Sequence, residues 1–132
     1  MSETPILPFT VLVVEDNHDF AENLLTTLEM MGIQAHHTDN AQDAIAFLNE
    51  HIPDLILLDL SLRGVSGWQV LECVQQKYGK HRVPVIVSTG KTDNMNRIVG
   101  RLQSVQSYLV KPFSTQDLFH AVNDVLELYK FA

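Results

Sequence analysis

A chain of 132 residues, 45% hydrophobic and 19% charged, is long enough for one buried core, too short for two, and too apolar to stay disordered. Its 16 acidic residues against 9 basic ones leave a net charge of −7, which disfavours direct nucleic-acid binding, and its lone Cys73 excludes a disulfide framework or a cysteine-rich zinc site and fits a reducing cytoplasm. No apolar run approaches the ~18 residues that span a bilayer, and residues 1–10, with two prolines and no basic region, do not read as a signal peptide.

Residues 10–14 form a continuous apolar, β-branched run that stops abruptly at Glu15-Asp16-Asn17. A strand apolar on both faces belongs in the middle of a covered parallel sheet. Phe20, Leu24, Leu25 and Leu28 then recur at helical spacing until Gly32. Residues 33–38 read as a second, more polar strand, nearer an edge. Asp39 or Asn40 caps a helix carrying Ala41, Ala44, Ile45 and Leu48. Pro53 blocks continuation, and residues 54–59 form another fully apolar strand ending on Asp59. A loop leads to Ser66, an N-cap for a helix with Trp68, Leu71, Val74 and Tyr78 inward. Residues 84–89 predict a fourth strand. Met95, Ile98, Val99 and Leu102 predict a fourth helix, more weakly patterned. Residues 108–110 predict a short fifth strand, and Ser114 caps a last helix with Leu118, Ala121, Val122, Val125, Leu126 and Tyr129 inward.

Five strand–helix units in alternation predict one α/β domain over 1–132, its core at about 10–130. The expected architecture is a doubly wound five-stranded parallel sheet with helices on both faces. Ligands of such sheets bind outside the carboxyl ends of the strands. Those ends carry Glu15, Asp16, Asp59, Thr89 and Lys111. The first and third strands are neighbours in this architecture, so three carboxyl groups converge, and like charges at close range cost energy. A hard divalent cation such as Mg²⁺ removes the conflict, and no His or Cys in the predicted cluster favours zinc or copper. Lys111 and Thr89 would add an ammonium and a hydroxyl, which suit a phosphoryl group. A carboxylate can itself be the nucleophile in aspartyl-phosphate chemistry.

These residues resemble a response-regulator receiver domain from residue 10 to about 130. The matching elements are Val-Val-Glu-Asp-Asn at 13–17, Asp-Leu-Ile-Leu-Leu-Asp at 54–59, Gly67, Pro84 with Thr89 five residues on, and Tyr-Leu-Val-Lys-Pro-Phe at 108–113. The resemblance implies the flavodoxin-like (βα)5 fold with strand order 2-1-3-4-5. It implies a phosphoacceptor switch rather than an enzyme with turnover, and a two-component signalling role in the cytoplasm. By the same likeness Asp59 accepts a phosphoryl group from a phosphohistidine on a histidine kinase or phosphotransfer protein. Mg²⁺ is held by Asp16, Asp59, Glu15 (directly or through water) and the backbone carbonyl of Ser61. Lys111 pairs with the phosphoryl oxygens, Thr89 and Tyr108 act as the switch, and the Lys111-Pro112 bond is cis. Output then passes to a downstream protein target through the face formed by the fourth helix, fifth strand and last helix, by which receivers can also form homodimers. No direct nucleic-acid or membrane contact is implied.

The pattern departs from the family at Arg63, where proline is frequent, and at Ser104-Val105, where Gly-Ala is common. Ser61 and Lys91 are also unusual, and both positions flank the phosphoryl group in the family, so its lifetime is not set by the resemblance. Gly90-Lys91-Thr92 imitates the end of a P-loop, but Val85 occupies the place of the required upstream glycine. The six histidines show no ligand spacing, and adjacent His36 and His37 on a strand point to opposite faces. Three alternatives stay open: a receiver-fold binding module regulated without phosphorylation, a receiver excised from a hybrid kinase, and a phosphatase or flavoprotein of related fold.

Overall fold

The computed structural model describes residues 9–60, 62, 67–79, 82–90 and 105–130, with the side chains of 89, 105, 106 and 128–130 outside the description. The elements are β1 (Thr10–Val14), α1 (His18–Met30), β2 (Gln34–Thr38), α2 (Ala41–Glu50), β3 (Leu55–Asp59), α3 (Gly67–Tyr78), β4 (Val85–Thr89), β5 (Val105–Val110) and α4 (Thr115–Lys130). All strand pairings are parallel and the order is β2-β1-β3-β4-β5. The helix predicted over 95–102, the Ser66 cap and the inward Tyr129 side chain fall outside the described residues.

The continuous apolar runs are explained by two cores, one on each face of the sheet. Leu12, Val14, Ile56, Leu58 and Val87 pack on one side with Ala44 and Leu48 of α2 and Val70 and Val74 of α3. Val11, Val13, Leu55, Leu57 and Ile86 pack on the other with Leu24 and Leu28 of α1 and Leu118 and Val122 of α4. Successive residues of one strand thus alternate between cores, so neither face tolerates a polar side chain. Burying one Val or Leu side chain is worth about 1.5–3 kcal/mol, which makes the central strands the rigid floor of the molecule.

The helix ends follow their capping chemistry. The Asn17 side chain accepts the Phe20 N–H at 2.9 Å, and the Asn40 side chain accepts the Asp43 N–H at 2.8 Å. Ser114 and Asp117 exchange side chain-to-backbone bonds at 3.0 and 3.1 Å in a reciprocal box. Gly32, at φ +78°, supplies the left-handed residue after α1.

Four strand boundaries differ from the sequence reading. β4 starts at Val85, after Pro84, which has no N–H to give the ladder. Ile33 donates its N–H back to the Leu28 carbonyl, just past the turn that closes α1, so β2 starts at Gln34. Asp54 accepts the Thr10 N–H at 2.7 Å and the Thr10 hydroxyl at 3.2 Å, a side-chain clasp that precedes β3. The fifth strand runs three residues further back than the apolar signal at 108–110, to Val105, through an irregularity beside Val85/Ile86.

Candidate functional site

Glu15 and Asp16 follow β1, Asp59 closes β3, and Lys111 follows β5, so all four reach the carboxyl end of the sheet. Register makes the carboxylates meet: Val14 pairs with Leu58, which places the residues just beyond each side by side. One carboxylate oxygen from each of Glu15, Asp16 and Asp59 lies within 4.8 Å of the others. Glu15 and Asp59 are only 1% and 2% exposed, whereas Asp16 is half-buried.

The Lys111 ammonium crosses this pocket. Its Nζ lies 2.6 Å from Glu15 Oε1 and 3.3 Å from Asp59 Oδ2. The Phe20 ring stands 4.6 Å from the same nitrogen and is held edge-on by Phe113, 5.2 Å away between ring centres. The Asn17 N–H donates to Glu15 Oε2 at 3.2 Å, and His37 Nε2 donates to the Glu15 carbonyl at 2.7 Å. Burial pushes the Glu15 carboxyl above its ordinary range; the Lys111 hydrogen bond opposes this and the Asp59 charge adds to it. Burial pulls the Lys111 ammonium down, but its bonds and charges with Glu15 and Asp59 outweigh that and leave it raised.

Gly67, the first residue of α3, sits against the end of β3. A Cβ there would lie 2.5 Å from the Asp59 carbonyl oxygen and 2.9 Å from the Leu60 Cα, both backbone atoms that cannot swing aside. Glycine lets the helix start against the strand that carries Asp59.

Thr89 ends β4 opposite Val110, one residue before Lys111, while its side chain lies outside the described set. Tyr108 pairs with Val87 and packs half-buried against the core beneath α2 and α3; burial raises its phenol above the ordinary value. The Lys111-Pro112 bond is cis. Ser61, Arg63, Lys91 and Ser104 fall outside the described residues. The Phe20 ring and the His37 bond had no signal in sequence, since each acts across elements. Gly67 was visible only as a motif residue.

Three carboxylate oxygens, two of them on buried side chains, form an oxygen-only donor set beside one ammonium, which fits a hard divalent cation such as Mg²⁺.

The sequence profile of the response regulator receiver domain matches residues 11–123. The chain belongs to that family. Receiver domains are phosphoacceptor switches with autophosphatase activity rather than classical enzymes, and membership implies a phosphodonor partner of the histidine-kinase type. This receiver is 33% identical over 117 residues to the phosphate regulon transcriptional regulatory protein PhoB of Pseudomonas aeruginosa, covering 89% of the chain and 51% of that protein. It thus spans about half the length of the PhoB relatives that it matches. It is 28% identical over 116 residues to Protein PilH of the same organism, covering 88% of the chain and 96% of PilH. Among solved structures, the receiver domain of the Francisella response regulator 1452 superposes with a TM-score of 0.80 at 26% identity, over 91% of this chain and 98% of that one. A CheY-like receiver from Methanospirillum hungatei reaches 0.84 at 20% identity, over 94% and 98%, and shares the fold. Among the described residues, no helix is long and apolar enough to cross a membrane.

Proposed function

We propose that this receiver takes a phosphoryl group from a phosphohistidine, on a histidine kinase or phosphotransfer protein, onto Asp59. The observation that carries this reading is the Lys111 ammonium bridging Glu15 and Asp59 in a pocket of three carboxylates. An Asp59 carboxylate oxygen attacks phosphorus, the N–P bond breaks, and the donor imidazole takes up a proton as it leaves. Glu15, Asp16, Asp59 and the Ser61 carbonyl would hold Mg²⁺, which would supply charge neutralisation for the transferring oxygens. Lys111 can turn from Asp59 to the new phosphoryl oxygens while keeping Glu15, its nearer partner. The Phe20 ring, backed by Phe113, stands against the ammonium and limits where it can go.

The added charge and acceptor oxygens are read out by Thr89, at the end of β4, and by Tyr108 of the neighbouring β5, whose register partner Val87 lies two residues before Thr89. The downstream face is that of β5 and α4, to which the resemblance would add the helix expected over 95–102, outside the described residues, and a protein target or a second copy docks there. Mg²⁺-dependent transfer from a small phosphodonor tests the chemistry. Intact mass should rise by one phosphoryl group in the parent, not in Asp59→Asn and not in EDTA. Labelling that survives Asp59→Asn would reject Asp59 as the acceptor.

A further inference from the structure

The histidines that show no spacing along the chain are gathered by the fold. His18, His36, His37 and His51 line one open cavity of about 620 Å³ at the β2 edge, together with Asp39 and Asp43. Within it, His18 opens α1, His37 sits on β2 and Asp39 follows β2, all on the α1 side. His18 Nε2 and Asp39 Oδ2 are 3.1 Å apart. Two ligands about 2.0–2.1 Å from a tetrahedral zinc are about 3.3 Å from each other. The His18 and His37 ring centres are 5.8 Å apart and nearly perpendicular, and two imidazoles on one zinc have centres about 5–6 Å apart.

Two of the three groups already have the outer partner that orients a metal ligand. A carbonyl can only accept, so His37 Nε2 carries the proton in its 2.7 Å bond to Glu15, which leaves Nδ1 with its lone pair. Asn40 Nδ2 donates to Asp39 Oδ1 at 2.7 Å and so leaves Oδ2 for another partner. Among the described residues, only the acidic pocket has three donor atoms already within 4.8 Å of one another. The edge triad therefore closes by a turn of the His18 ring, whose side chain is 71% exposed, toward His37, while His37 and Asp39 keep their outer partners.

We infer that His18 Nε2, His37 Nδ1 and Asp39 Oδ2 form a second metal site, for a borderline divalent cation of the zinc class, distinct from the acidic pocket. Nitrogen-rich ligation selects against Mg²⁺, so the two sites sort their cations by donor type. On binding, the cation takes the place of the proton shared by His18 and Asp39, which moves to the far ring nitrogen or to water. The inference does not depend on phosphorylation at Asp59.

The test is a Zn²⁺ titration of the full chain by calorimetry, with Mg²⁺ saturating so that the acidic pocket is filled. One zinc should bind, and His18→Ala and Asp39→Asn should each weaken it at least about tenfold. His37→Gln should do the same. His36→Ala should leave it unchanged, because that ring stacks on Phe47 on the opposite side of the strand. Exposed His18 can be removed without touching the core, so a folding defect cannot mimic the result. The inference is overturned if no zinc binds above the Mg²⁺ background. It is equally overturned if binding survives His18→Ala and Asp39→Asn, or falls just as far with His36→Ala, or is lost only with Asp59→Asn.

Discussion

Replacing Asp59 with asparagine should abolish phosphorylation and yet stabilise the metal-free protein. The Asp59 carboxylate repels those of Glu15 and Asp16 within 4.8 Å and attracts the Lys111 ammonium at 3.3 Å. At an effective dielectric constant of about 20, each repulsion costs about 3.5 kcal/mol and the attraction returns about 5, a net penalty of about 2 kcal/mol. With fully water-like screening the same geometry gives about 0.5 kcal/mol, so half-buried Asp16 and partly exposed Lys111 point to about 1 kcal/mol. Burial of the Asp59 side chain acts in the same direction, and Lys111 retains Glu15 at 2.6 Å after the substitution. Urea melts of parent and Asp59→Asn at neutral pH, in EDTA and in saturating Mg²⁺, read the difference directly. The variant should be the more stable in EDTA, and the gap should shrink with Mg²⁺, which stabilises the fully charged cluster through linkage. An asparagine variant less stable than the parent in EDTA would show that Lys111 already outweighs the repulsion.

Gly67→Ala should destabilise the fold by about 1–3 kcal/mol, because its Cβ meets backbone at 2.5 Å, and should also weaken Mg²⁺ binding by displacing Asp59; melts and a metal titration check both halves. The pH dependence has a definite sign: because the Glu15 carboxyl is raised in the fold, the folded state holds more protons than the unfolded one. Metal-free stability should therefore fall as pH rises from the ordinary value of 4.5 through the raised one, and Glu15→Gln should flatten that slope in denaturant melts across the range. Lys111→Arg should fold and yet switch poorly, since a planar fork replaces a compact charge between two carboxylates; beryllofluoride-induced amide shifts along β5 and α4 would be reduced. Asn40→Ala should cost about 1 kcal/mol through the lost cap of α2, read as a lowered denaturant midpoint, with phosphorylation unchanged.

The buried centre of the molecule was legible because β1 and β3 are covered on both faces, and that burial demands unbroken Val, Ile and Leu. The ends of those runs announced Glu15, Asp16 and Asp59 for the same reason: a charge ends an apolar strand only where the chain leaves the core. The outer strands were less legible. Residues 105–107 include polar Gln106 and Ser107, and an edge strand can carry such residues without losing its ladder, so hydrophobic pattern alone truncated β5. Side-chain partnerships between elements had no periodic signature. That Lys111 lies nearer Glu15 than Asp59, that Phe20 caps the ammonium, and that His18 meets His37 all depend on how α1 settles against β2 and β5.

The strand order leaves β2 as an outer edge of the sheet, and its sequence is Gln34-Ala35-His36-His37-Thr38. An open strand edge is a template for pairing with another chain, and long apolar edges nucleate aggregates. Here the edge is five residues long, carries no large aliphatic side chain, and has two imidazoles projecting to opposite sides, one against Phe47 and one against His18. Two copies meeting edge to edge would have to desolvate these rings and the carboxylates of Asp39 and Asp43 beside them. The sheet is thereby discouraged from growing at this side, which leaves the opposite side, with β5 and the helices beside it, as the means by which copies of the chain or its partners can meet.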